Sequence, residues 1–349
     1  MLKPFALRFF ARPLAAAALV CATLAAPLLL AGQQPYKVID QWKVGGDGGW
    51  DYLNIDSSAH RLYITRGARV DVVDTQTGKL AGSIAGLHGA HGVVFDTAGR
   101  LGYISDGGGN AVVVFDRATL ATVATIPAGS NPDGLLFEPA TQTVWAFNGK
   151  SHDATVIDAA THKVVAAIPL PGKPEFPAAD GQGTVFVNIE DKNVIVRLDA
   201  RAKAATATWP LAGCESPSGL AFDAAGYRLF SVCDGKKMAV TDAKTGASLA
   251  TPAIGDGPDA AGYSAQFKLA FSSNGEGTLS VVDAAAKGYP TIETVPTQKS
   301  ARTMIYDAAA DRIYLVAAVL GPRPAPTPEN PRPRPAMTPG SFVVLVVGR

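Results

Sequence analysis

The chain has 349 residues, with 31 basic side chains against 30 acidic ones and a formal net charge of +1. That near balance excludes the broad basic footprint a nucleic-acid partner needs, and the short tracts GKK and RPRP do not supply one. The 36 glycines and 25 prolines suit many short strands joined by tight turns.

Residues 1–31 stand apart. Lys3, Arg8 and Arg12 lead into the apolar run LAAAALVCATLAAPLLLA, the pattern of a secretory signal peptide cut near 26–34. An uncleaved anchor is the alternative, since a membrane span needs about 20 apolar residues. Bulky Leu19 and Val20 ahead of Cys21 argue against lipidation there. No later stretch is long enough to span a bilayer, so the expected mature chain is periplasmic or secreted, with no stable membrane span. Export leaves Cys214 and Cys233 in an oxidising compartment, where a disulfide is expected. Two unpaired thiols on neighbouring loops are the alternative.

After the segment YKVIDQWKV (36–44) a repeat begins. An aromatic marks the middle of each second strand: Tyr63, Tyr103, Trp145, Phe186, Phe230, Phe271 and Tyr314. An aspartate ends each third strand at Asp74, Asp116, Asp158, Asp199, Asp242 and Asp283. Both markers keep a period of about 42 residues, which is that of a four-stranded propeller blade. In the third unit the strands are GLLFE (134–138), TVWAFN (143–148), ATVID (154–158) and KVVAAIPL (163–170). Fourth strands are expected near 79–84, 121–128, 163–170, 204–211, 247–254 and 290–297, one fewer than the aromatic markers. The last unit ends at its third strand, SFVVLVVGR (341–349), so the N-terminal strand is left to complete it. The expectation is an all-β fold: a seven-bladed β-propeller over 36–349, four antiparallel strands per blade, the ring closed by the N-terminal strand. Closure in this way removes an exposed sheet edge.

The phrases YISDGGGNAVVVFD…IPAGSNPDGLLF and VFVNIEDKNVIVRLD resemble the YVTN-type repeat of the YncE-like β-propeller family, and the resemblance covers roughly 36–349. The tetrad itself varies here: YITR, YISD, FVNI, FSSN. The resemblance implies an exported bacterial propeller from a family that spans binding proteins and domains associated with electron transfer. A WD40 repeat has the same period, but its Trp-Asp strand ending and Gly-His start are missing.

Propeller geometry sorts the loops into two faces. Turns such as DTQTG, DAATH and DAKTG hold ordinary turn chemistry. The other face holds GGWDY, LHGAHG, SNPDG, GKPEF, CESPSG, GPDAAG and SARTM, with DGGGN, NGKSHD, NIEDKN and SNGEG beside them. Binding groups concentrate on such loops. The candidate ligand-binding residues are therefore Trp50, Asp51, His91, Asp133, Asn148, His152, Glu175, Phe176, Asn188, Glu190, Asn274 and Arg302. Each has a structural alternative. Asn148, Asn188 and Asn274 recur at strand ends, where they can cap the backbone. Asp133 and Asp259 follow proline at equivalent places and suit turn bracing. Trp50 and Phe176 wall a pocket or pack between blades, and Arg302 clamps an anion or pairs with a channel carboxylate. His91 with Glu175 or Asp51 is the weak metal candidate. No cofactor motif is present: no P-loop, Rossmann fingerprint or haem-attachment sequence, and no nucleophile elbow.

The segment 320–340 carries eight prolines between Pro322 and Pro339 and interrupts the last unit, as a lid, a docking strand or a passive insertion. The leading function is a binding module that takes a protein or small-molecule ligand at the channel face. The alternatives are a metal-assisted hydrolase or lactonase-like enzyme at the channel mouth, or an accessory to an exported redox enzyme.

Overall fold

Hydrophobic period and turn chemistry turn directly into strands. The computed structural model describes residues 1–2, 34–327, 333 and 335–349. The expected signal peptide lies outside them apart from Met1 and Leu2, as do 328–332 and 334 of the proline-rich segment.

Pro35–Arg349 is all-β. Its one helical piece among the described residues is the turn Glu190–Lys192, and no described helix is long and apolar enough to cross a membrane. The third unit shows the pattern. Pro132–Glu138, Thr143–Asn148, Asp153–Asp158 and Lys163–Pro169 pair in sequence order, antiparallel throughout. The second strand is buried along its whole length, whereas the fourth exposes every residue except Ala166 and Ile168. A strand covered on both faces reads as a continuous apolar run, and an outer strand alternates.

Four sheets of four strands have this order, a fifth takes its outer strand from the N-terminal end, and one sheet of seven joins two units. The joint is Lys79–Phe95, a single strand where a fourth strand ending near 84 and a separate first strand were expected. The ladder does not break because Gly67 pairs with Ala90 beyond the pairing of Arg69 with Ala85. At the other end, Lys37–Lys43 pairs antiparallel with Val343–Gly348, from Lys37 with Gly348 to Lys43 with Val343. That sheet runs on through Arg312–Ala317 to Thr303–Asp307. The first strands of successive units also touch one another in an unbroken circuit, and Leu53–Asp56 touches Thr303–Asp307 to complete it.

The aromatic period reflects packing between sheets. Six of the seven marker rings are fully buried and Tyr314 is nearly so. Tyr103, for example, packs with Leu135, Val144 and Ile157 of the next sheet, and Phe230 packs with Ala270 and Val282. The aspartate period reflects turns. Asp74 accepts the amides of Gln76 (2.9 Å) and Thr77 (2.8 Å), and Asp242 accepts those of Lys244 (2.9 Å) and Thr245 (2.8 Å). These carboxylates are consumed by their own turns. Cys214 and Cys233 are bonded, with Cα atoms 5.3 Å apart.

Candidate functional site

A turn residue ends or directly follows each first strand: Asp56, Asp96, Glu138, Asp180, Asp223, Ser264 and Asp307 in turn. Five positions ahead of these stand Asp51, His91, Asp133, Glu175, Ser218, Asp259 and Arg302. One residue per unit therefore occupies the same register at the start of the first strand. Those strands contact one another in succession, which places the seven positions on neighbouring strands, arranged in a ring if the circuit is that of a propeller.

Backbone contacts fix the ring. The Tyr52 amide donates to the His91 carbonyl (3.3 Å), and the Ala260 amide donates to the Arg302 carbonyl (3.3 Å). Ser105 Oγ donates to the Asp133 carbonyl (2.6 Å) while accepting the Gly92 amide (2.7 Å). The next position along is glycine in three units because the strands approach closely. A Cβ on Gly134 would stand 2.6 Å from the Glu175 carbonyl oxygen, and one on Gly219 would stand 2.6 Å from the Ala261 nitrogen. Where that position is aromatic, the side chains fill the axis: Tyr52 and Phe176, from the first and fourth units, meet with ring centroids 4.2 Å apart. The Tyr52 hydroxyl reaches Glu175 Oε2 at 3.4 Å. These two rings lie beside the charged side chains of the same positions.

The charges are unevenly partnered. Arg302 Nη1 lies 2.8 Å from Asp259 Oδ2, and Lys173 Nζ pairs with both Glu175 and Glu190. His91 Nδ1 is 2.6 Å from Asp51 Oδ2 and 3.7 Å from Asp133 Oδ1. These carboxylates keep a solvent path (Asp133 is 13% exposed), yet protein surrounds them closely. Burial pushes Asp259 up to about 7 against the pull of Arg302. Burial and the mutual repulsion of the acids raise Asp133 and Glu175 as well. Burial, then Asp133, Glu175 and Asp51, hold the Tyr52 hydroxyl well above its ordinary value. Groups from five or more strands feel each other's charge, so the site is one electrostatic unit.

The structure thus brings together Asp51, His91, Asp133, Glu175, Phe176 and Arg302, with Glu190 joined through Lys173. It sets the other expected residues apart. Trp50 packs on Phe342 with centroids 5.4 Å apart. Asn148 donates to Asp153 (2.6 Å) and Thr155 (2.9 Å) inside its own hairpin. Asn188 ties two units, donating to the Ser218 carbonyl (2.9 Å) and accepting from Ser231 Oγ (2.9 Å). Asn274 donates to Thr278 (3.0 Å) and Ser280 (3.1 Å). His152 is an exposed turn residue with φ 54°. The residues not singled out by sequence as binding groups are Tyr52, Lys173, Ser218 and Asp259. The signal that finds Ser218 and Asp259 is the constant offset from the turn that closes each first strand. Two surface recesses lie elsewhere. One, of about 470 Å³, is bordered by Asp223 and Arg228, which pair with each other; another, of about 620 Å³, lies beside Lys299 and Val319.

No protein-family model matches the sequence, and no curated protein does. Solved structures do. Kuenenia stuttgartiensis hydrazine synthase is similar with a TM-score of 0.69 at 15% identity, over 78% of this chain and 94% of that one. U3-55K is similar with a TM-score of 0.74 at 9% identity, over 89% of this chain and 99% of that one. The fold is β-propeller-like. At these identities the likeness carries architecture alone, and function must be argued from the ring.

Proposed function

We propose that the chain is an exported, seven-bladed β-propeller that binds a small polar ligand in the recess at its channel mouth. The observation that carries this reading is the ring itself. Seven equivalent positions hold three aspartates, a glutamate, a histidine, a serine and an arginine, where packing alone would be served by apolar residues. The opposite turns, in contrast, satisfy their own carboxylates. The circuit of first-strand contacts supports a count of seven, and the pairing of Lys37–Lys43 with Val343–Gly348 supports closure by the N-terminal strand. The contact of Tyr52 with Phe176, from the first and fourth units, supports a recess closed below these side chains. A small molecule, or one protruding side chain of a protein partner, suits it better than a threaded segment. The disulfide and the signal-like N-terminus support export, and the YVTN-like phrases support assignment to that family.

The test is a thermal-shift screen of the purified protein against amino acids, polyamines and monosaccharides. A compound that raises Tm by several degrees is expected to lose its effect in Glu175→Gln and Arg302→Ala. It should keep that effect in Gln76→Ala and Lys244→Ala, on the opposite turns. Shifts that persist in both ring variants would place binding elsewhere and refute the reading.

A further inference from the structure

We propose that Asp51, His91 and Asp133 hold a divalent transition-metal ion of the Zn²⁺ or Mn²⁺ kind at the channel mouth. This rests on the ring being the binding site and names the first thing bound there.

The geometry comes first. One donor atom from each of the three residues lies within 4.8 Å of the others. Metal bonds of about 2.0–2.2 Å place neighbouring donors roughly 3–3.5 Å apart. The two His91 separations, 2.6 and 3.7 Å, bracket that range, so an ion enters with side-chain adjustments of a fraction of an ångström. The three donors come from three consecutive first strands at one register, on backbone already tied by the Tyr52–His91 and Ser105–Asp133 hydrogen bonds. A site pre-assembled on strands avoids most of the ordering cost of a loop site.

Charge is the second, independent observation. Among the described residues, Arg302 is paired with Asp259, and Lys173 with Glu175 and Glu190. Asp51 and Asp133 have no lysine or arginine at ion-pair distance and share one imidazole. Two carboxylates facing a single imidazole in a recess leave negative charge that a dication cancels. The donor types then choose the ion. A nitrogen ligand beside two carboxylates suits Zn²⁺ or Mn²⁺ better than Ca²⁺, which prefers an all-oxygen shell. Three protein ligands also leave coordination positions facing the mouth, the arrangement of metal sites that accept an exogenous ligand.

The experiment strips the purified protein with a chelator and titrates it separately with Zn²⁺, Mn²⁺ and Ca²⁺ by calorimetry. One Zn²⁺ or Mn²⁺ per chain is expected, bound more tightly than Ca²⁺. His91→Ala and Asp133→Asn should each weaken that ion by at least about 10-fold, since loss of a mere supporting group already costs about 10–100-fold. Asp51→Asn, which keeps side-chain shape, serves if either of those variants fails to fold. His88→Ala, an exposed imidazole beside Asp106, should leave the titration unchanged. Absence of saturable Zn²⁺ or Mn²⁺ binding at millimolar concentration, or binding that survives His91→Ala undiminished, overturns the proposal. If the metal fails while Glu175→Gln and Arg302→Ala still abolish the small-molecule shifts, the metal falls alone and the ring remains the binding site.

Discussion

Replacing Gly134 with alanine tests whether close approach of the first strands holds the ring. The added Cβ would stand 2.6 Å from the Glu175 carbonyl oxygen and 2.9 Å from Pro177 Cδ. Ordinary contact begins near 3.4 Å, so the neighbouring strand must retreat by roughly 0.8 Å, and the atom in the way is backbone with no rotamer to escape into. Overpacking of this kind costs about 1–3 kcal/mol. At about 2 °C per kcal/mol for a large domain, Tm should fall by roughly 2–6 °C in calorimetry. The same retreat carries Glu175 away from Asp133, so ligand shifts should shrink as well. Gly49 is the comparison: an added methyl there meets nothing within 4 Å, and Gly49→Ala should be near neutral. A Gly134→Ala protein with parental Tm, or a Gly49→Ala protein that falls as far, would refute the close-packing argument.

Two further outcomes follow from local geometry. Reducing the Cys214–Cys233 bond, which closes a 19-residue separation, should lower stability by about 3 kcal/mol in denaturant titration; an unchanged midpoint would show that the bond constrains nothing. Asp56 is 6% exposed and pairs with Arg117; burial opposes its ionisation, but hydrogen bonds from Arg117, Ser58 and Ala59 outweigh that and lower its pKa. A depressed carboxyl stabilises the fold above its unfolded pKa near 4 and loses that contribution as pH falls through the folded value. The cost of Asp56→Asn should therefore be full at pH 7 and shrink as pH falls through the lowered folded-state value, whereas a cost independent of pH would contradict the pairing.

Strand order and the aromatic period were legible because both are local. A buried second strand must be apolar on both faces, and Trp145 or Phe230 shows that in a window of six residues. The disulfide was legible from the cysteine count and the signal-like N-terminus. The site was legible in part. Asp51, His91, Asp133, Glu175 and Arg302 could be named as polar groups in loops, but their convergence depends on how separate sheets are arranged. Neighbouring residues can part company entirely: Trp50 packs on Phe342 while Asp51 meets His91. Asn148, Asn188 and Asn274 share the composition of binding residues, but their side chains are spent on hydroxyls, a carboxylate and backbone carbonyls. Asp259 reads as a turn brace until its place opposite Arg302 is seen.

The pairing of Lys37 with Gly348 imposes an order on how the molecule can be made. Joining ends some 300 residues apart costs about 5 kcal/mol in a flexible chain, so the intervening sheets must draw the termini together first. The strand Lys37–Lys43, with Val38 and Ile39 outward, waits for a partner translated some 300 residues later. A chain that lacks Val343–Gly348 leaves the strand starting at Lys37 and the edge of Arg312–Ala317 both unpaired. Loss of either strand thus announces itself as sticky, protease-sensitive backbone.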